Sequence, residues 1–368
     1  GTITLASGTQ INISASGAST PISLPANATA TISAGGLTFA GTIQVGTNAT
    51  LNVSNASSGT SNFSLTGSLA GFAGTLNLVG PGNIRIGSAG SALAAFSLGN
   101  STGTIRTTFD GVVHFGSIAG GSSTRLQGST NGTSASTYVI GARGGDSTFA
   151  GVITDGTNTQ PARLHITKVG PGTLVLTGSN TYTGVTAIEE GVLRLGPASF
   201  GPVLNGSGAD IRGGRLVFDY AGTISPAPVL IAHLTNGFAQ GFAQGVIRST
   251  SATTGHTLGW SDDPAAGLFT IASVLAGDAN LDHVVDFDDL LILAQNYSQT
   301  GRVWATGDFN YDGVVDFDDL LAAAQNYGDA SLVVYHWHVA RLLVPEPAAS
   351  VMFVAMWACA SRLVRPSR

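Results

Sequence analysis

"LHITKVGPGTLVLTGSNTYTGVTAIEEGVLRLG", residues 164–196, decides the fold of this chain. Apolar and polar residues alternate in short runs, and glycine or asparagine interrupts each run before it reaches helix length. Period-two alternation bounded by Gly, Asn and Ser describes short strands joined by tight corners. On this reading Leu174, Leu176, Ile188, Leu193 and Leu195 point into a narrow solenoid core. The glycines supply corner dihedrals that a Cβ would disfavour. Asn180 is placed to join a polar ladder running from rung to rung.

The same grammar extends upstream. Residues 1–163 read as many short strands without helical periodicity. "GTIQVGTNATLNVSN" and "GVVHFGSIAGGSSTRLQGS" share apolar alternation that ends at a Gly/Asn/Ser corner, which favours stacked rungs over a sandwich. No charged side chain precedes Arg85. So neutral a sheet aggregates through its edges unless they are covered or stacked, and a solenoid stacks each rung on the next. Disorder is a poor alternative: 43% of the chain is hydrophobic and only 10% charged, the reverse of a disordered profile.

Residues 164–196 resemble the autotransporter-associated β-strand repeat. The resemblance rests on Lys168, Gly170, Gly172, Thr173, Leu174, Leu176 and Gly178, then Asn180, Tyr182, Gly184 and Thr186. "STFAGVITDG" upstream is similar to the rung that precedes such a repeat. The resemblance implies a right-handed parallel β-helix of a secreted bacterial protein. Strands continue through residues 197–276 ("ADIRGGRLVFDYAG", "HTLGWSD", "GLFTIASVLAG"), read as a terminal β unit capping the solenoid. The small duplication "GFAQGFAQG" is read as a strand or loop.

Charge is concentrated further on. Ten of the 21 acidic residues fall in "GDANLDHVVDFDDLLILAQNY" and "GDFNYDGVVDFDDLLAAAQNY", near-copies that begin at Gly277 and Gly307. Counting from Asp278, oxygen donors fall at positions 1, 3, 5, 7, 9 and 12: Asp278, Asn280, Asp282, the Val284 carbonyl, Asp286 and Asp289. The second copy gives Asp308, Asn310, Asp312, Val314, Asp316 and Asp319. That is the calcium-loop spacing, and oxygen donors suit a hard cation, so two Ca2+ ions are expected. Each loop precedes a helix pattern, Phe287, Leu290, Leu291, Ala294 and Tyr297 in one copy, Phe317, Leu320, Leu321, Ala324 and Tyr327 in the other. His283 stands at position 6, where glycine makes the left-handed turn; Gly313 holds that place in the second loop. The first site is therefore expected to be the weaker.

Residues 277–328 resemble a type I dockerin, which implies docking onto a cohesin-like extracellular protein. Phe287–Asp288 and Phe317–Asp318 replace the small hydroxyl pair of well-known members at the recognition positions, and either recognition or core packing is open to the two phenylalanines.

After a connector at 329–343, residues 344–368 carry Pro345, Glu346 and Pro347, an apolar run to Ala360 and then Arg362, Arg365 and Arg368. This resembles the PEP-CTERM sorting signal. It implies export, transient membrane association and processing by an exosortase-type enzyme in a bacterium with an outer membrane. Cys359 would leave with the tail. His336 and His338 form a His-x-His pair without an identifiable third ligand. The first residue is Gly1, as expected of a removed signal peptide or of a fragment. The C-terminus lacks the strand pattern of an outer-membrane barrel.

No basic cluster points to nucleic acid. The solenoid offers scattered acids: Asp110, Asp146, Asp155, Glu189, Glu190, Asp210 and Asp219. Glu189 and Glu190, being adjacent, are expected on opposite faces of a strand. No catalytic residues are assigned. The expected function is non-enzymatic: a secreted or cell-surface, calcium-binding β-solenoid for adhesion or extracellular assembly, with a polysaccharide among its candidate ligands. The alternative is a polysaccharide-degrading parallel β-helix lyase or hydrolase.

Overall fold

Among the described residues almost every strand pair is parallel, and until the C-terminal hairpin successive strands belong to different sheets. A computed structural model describes residues 1–55, 62–107, 111–129, 135–157, 162–250 and 256–330. Asp110, the His336/His338 pair, the Pro-Glu-Pro motif, the apolar run and Cys359 lie outside the described residues. Gly1–Val333 groups as one compact unit.

The longest sheet stacks eleven strands from Gln10–Ile13 to Ile247–Arg248. A six-strand sheet runs from Thr38–Phe39 to Val152–Thr154. Three short strands, Ile3–Thr4, Ile22–Leu24 and Ile43–Val45, form a third sheet at the N-terminal end. A fourth starts at Ser147–Phe149 and continues to Arg215–Asp219. The chain therefore coils, and each strand bonds to the strand one turn away. The fold is a parallel β-solenoid. At its C-terminal end the antiparallel hairpin His256–Asp263/Leu268–Leu275 pairs with Arg215–Asp219 and ends the parallel series.

Register puts like on like. Leu174 sits on Leu193 and Leu193 on Leu216; Leu176 sits on Leu195 and Leu195 on Phe218. All are buried, as the alternation in residues 164–196 requires. Higher in the solenoid Phe96, Phe115 and Tyr138 make an edge-on aromatic column, with centroids 4.8 and 5.1 Å apart, geometry that aromatic quadrupoles favour. At the corners rungs approach too closely for a side chain: a Cβ on Gly178 would lie 1.9 Å from the Gly151 carbonyl oxygen.

One charge occupies a core stack. Lys168 stands between Ile140 and Ile188 in register and is buried. Its Nζ donates to the carbonyls of Val169, Gly170 and Glu190 at 2.9, 2.6 and 3.1 Å. Burial pushes the ammonium down to about 8, with Glu190 and Asp146 opposing. Lys168 thus ties a corner to the next turn.

Three expectations change in detail. Asn180 is buried but stacks on no other amide among the described residues: it accepts from the Ile153 amide at 2.8 Å and donates to Ser199 Oγ at 3.1 Å, stapling a corner. An amide ladder does occur elsewhere, where Asn77 donates to Asn52 at 2.9 Å one turn away. Glu189 and Glu190 lie in the turn after Thr186–Ile188, not on a strand, because the chain bends at Gly191 with φ 67°. The unit read as strands at 197–276 also contains a helix, Ala227–Phe238. Pro226 precedes it, and Ala227, Leu230, Leu234 and Gly237 form its buried stripe. That 3-4-3 spacing is helical, but it spans only three turns between strand-like segments. The GFAQ duplication is accordingly no strand: its first copy closes the helix and its second forms a turn, with Phe242 at φ 55°.

Two substitutions check this core. Phe115→Ala should lower stability by about 3–5 kcal/mol by opening a cavity in the aromatic column. Lys168→Met should cost roughly 1–3 kcal/mol, because three carbonyls lose a charged donor. Both are read from chemical unfolding midpoints.

Candidate functional site: paired acidic loops on the solenoid end

The two acidic stretches fold as near-identical loops, each followed by a helix, Phe287–Asn296 and Phe317–Asn326. Each helix starts with a capping box. Asp286 accepts from the Asp288 amide at 2.9 Å while Asp289 accepts from the Asp286 amide at 2.9 Å. Asp316 and Asp319 repeat this at 2.9 and 3.0 Å. Orphan amides at a helix start favour such acids.

Within each loop the first acid is the hub. Asp278 accepts from the amides of Asp282 and His283 at 3.1 and 2.9 Å; Asp308 accepts from Asp312 and Gly313 at 3.2 and 2.9 Å. The last acid closes the loop. Asp289 accepts from Ala279 at 2.8 Å and Asn280 at 3.3 Å, and Asp319 from Phe309 at 2.7 Å and Asn310 at 3.2 Å. Asn280 donates to Asp282 at 3.0 Å and Asn310 to Asp312 at 3.2 Å. His283 takes the left-handed conformation that position 6 demands, φ 76° beside 83° at Gly313.

The electrostatics are one-sided. Asp278 and Asp308 are buried, and burial first, then neighbouring acids, pushes both up to about 6. Burial also raises Asp289 and Asp319. Among the described residues the ion pairs are Arg194–Asp219, Arg212–Glu189 and Arg212–Asp210, none of them in these loops. The donor set is all oxygen, which suits a hard cation. Carboxylate oxygens that accept one amide also retain further acceptor capacity. As arranged, the acids turn onto the loops' own amides, and no three His, Cys, Asp or Glu among the described residues gather as a metal cluster.

The loops are keyed to the solenoid. Arg215, on the last parallel strand of its sheet, donates to the Leu281 carbonyl and, at 3.3 Å, to His283 Nε2. The buried Trp304 donates from Nε1 to the Asp278 carbonyl at 2.7 Å. Tyr311 donates to the Leu258 carbonyl in the hairpin, and its ring lies 5.1 Å from Phe238 and 6.1 Å from Phe242. The duplicated GFAQ thus brings two phenylalanines to one tyrosine of the second loop. Sequence reasoning missed Arg215, Trp304 and Tyr311; the paired Phe in the duplication was the available signal. Phe287 and Phe317 are not core: they are 65% and 62% exposed and stand outward with Leu291, Tyr297, Leu321 and Tyr327.

Comparison with known proteins speaks to the solenoid. Residues 166–195 match the family model of the passenger-associated-transport-repeat. That match coincides with the rungs built by Leu164–Lys168, Thr173–Leu176, Thr186–Ile188 and Val192–Leu195. No curated protein and no solved structure matches the chain.

The seam between loops and hairpin has one tight point. A Cβ on Gly259 would lie 2.5 Å from Trp304 Nε1 and 2.7 Å from Val274 Cγ2. Gly259→Ala should displace Trp304 from the Asp278 carbonyl, lower the thermal midpoint and open the region around residues 277–328 to limited proteolysis, with the cut sites read by mass spectrometry.

Proposed function

We propose that this chain is a secreted or cell-surface β-solenoid for adhesion or extracellular assembly, and that its paired acidic loops bind calcium. The observation that carries the reading is a parallel solenoid bearing a passenger-associated repeat at residues 166–195. Such repeats suit an extracellular passenger of a bacterium with an outer membrane, and a right-handed coil is the form expected. Asp146, Asp155, Asp210 and Asp219 are engaged in structure, which supports a non-enzymatic role. Asp155 holds Leu164 and Thr183. Asp146 holds the Thr173 amide. Asp210 holds Arg212 and Thr250, and Asp219 holds Arg194.

Asp278, Asn280, Asp282, Asp286, Asp289 and the Val284 carbonyl would hold one calcium ion. Asp308, Asn310, Asp312, Asp316, Asp319 and the Val314 carbonyl would hold the other. Bound calcium would neutralise carboxylates that burial and like charge disfavour. The outward Phe287 and Phe317 faces would serve the dockerin-like role, with a cohesin-like protein as partner. The tail at 344–368 would serve sorting and exosortase-type processing.

Calorimetric titration of the full chain with calcium tests this. Two binding events are expected, and calcium should raise the thermal midpoint. Asp308→Ala should leave one event, and His283→Gly should strengthen only the weaker. No heat of binding and no change in midpoint would remove calcium from the proposal.

A further inference from the structure

The Arg215 side chain spends its hydrogen bonds on the first acidic loop, 66 and 68 residues away in the chain. Nη2 donates to the Leu281 carbonyl, and Nε donates to His283 Nε2 at 3.3 Å. Leu281 and His283 are the two left-handed residues of that loop, with φ 62° and 76°. They stand at its fourth and sixth positions. The turn they make delivers the amides of Asp282 and His283 to the buried Asp278 carboxylate at 3.1 and 2.9 Å.

The second loop makes the same turn with Tyr311 at φ 62° and Gly313 at φ 83°. A Cβ on Gly313 would meet nothing within 4 Å, so that glycine serves its dihedral and not a close approach. Histidine at the matching place lacks this freedom, because a side chain in the left-handed region crowds its own carbonyl. Strain of that kind persists only where the surroundings hold it. Relaxation of the first turn would carry both amides away from Asp278.

We propose that Arg215 is the positioning residue of the first acidic loop: its guanidinium holds the Leu281–His283 turn in the left-handed form and stands in for the glycine that the loop lacks. The fork is planar and pre-organised, so one side chain reaches both acceptors. Hydrogen bonds from a charged donor are strong enough to offset such strain. The strand that carries it is rigid, because Arg215–Asp219 pairs with Val192–Leu195 on one side and with Leu268–Leu275 on the other. The two copies of the duplication therefore differ in kind. The second turn is set by its own glycine, and the first takes its ligating shape only on a folded solenoid end. Coupling is reciprocal, so a cation held by the first loop stabilises the last turn of the solenoid. That last consequence rests on the calcium reading of the loops; the brace itself does not.

The test uses the full chain and two readouts. In excess chelator, hydrogen exchange at the Asp282 and His283 amides is compared with exchange at Asp312 and Gly313. Arg215→Met should speed the first pair about tenfold and leave the second pair unchanged. Arg194→Met, which breaks the ion pair to Asp219 on the adjacent strand, should change neither. In calcium, calorimetry should show Arg215→Met weakening only the weaker binding event, again about tenfold. His283→Gly should then restore more affinity in the Arg215→Met chain than it adds to the native one, because glycine needs no brace. Arg215→Lys, with charge but no fork, should fall between. Thermal unfolding is recorded for each variant, and if Arg215→Met loses its transition, Arg215→Lys carries the comparison. Equal acceleration in both loops, no acceleration in the first, or equal gains from His283→Gly in both backgrounds would overturn the proposal. Absence of any calcium event would remove the calcium reading instead, and the exchange comparison alone would then decide the role of Arg215.

Discussion

The structure depends on register between turns. Each parallel strand hydrogen-bonds to the strand one coil away, and the register places Leu174 on Leu193 on Leu216 and Leu176 on Leu195 on Phe218. A one-residue slip would turn every one of these side chains from core to surface. The glycine corners serve that constraint: where Gly178 passes Gly151 a side chain would force the rungs apart and break the register on both sides. So do the polar staples. Asn180, Ser199 and the Lys168 ammonium satisfy corner backbone groups that tight coiling removes from water.

A solenoid has two open ends, and this one treats its C-terminal end in layers. The hairpin His256–Asp263/Leu268–Leu275 reverses the strand direction. The helix Ala227–Phe238 packs its Leu230/Leu234 stripe into the core. The acidic loops then seat on both, through Trp304, Tyr311 and Arg215. Loop geometry and solenoid packing are coupled at the Asp278 and Leu281 carbonyls, which belong to the first loop but accept donors from outside it.

Charge is partitioned along the axis. The N-terminal rungs carry arginines on one outer face, while the acidic residues gather in the loops at the far end. In the middle, Asp155, Asp210 and Asp219 are bound into turns and ion pairs.

Residues 164–196 by themselves determined the strand-and-corner solenoid, because period-two alternation and glycine punctuation are local properties that stacking only repeats. The acidic duplication likewise determined its own loops: the hydrogen-bond set of Asp278 recurs at Asp308 because the sequence recurs. Tertiary structure decided what those local elements meet. Nothing near Arg215 in the chain announces His283, and nothing near Tyr311 announces Phe238; these contacts join residues 68 and about 73 positions apart. It also decided the fate of the helix faces. Phe287 opens the apolar pattern read for its helix and Leu293 lies outside that pattern, yet Leu293 is buried beside Gly307 of the second copy and Phe287 stands in solvent. Periodicity states that a helix has an apolar face, and only the neighbours determine which part of it is covered.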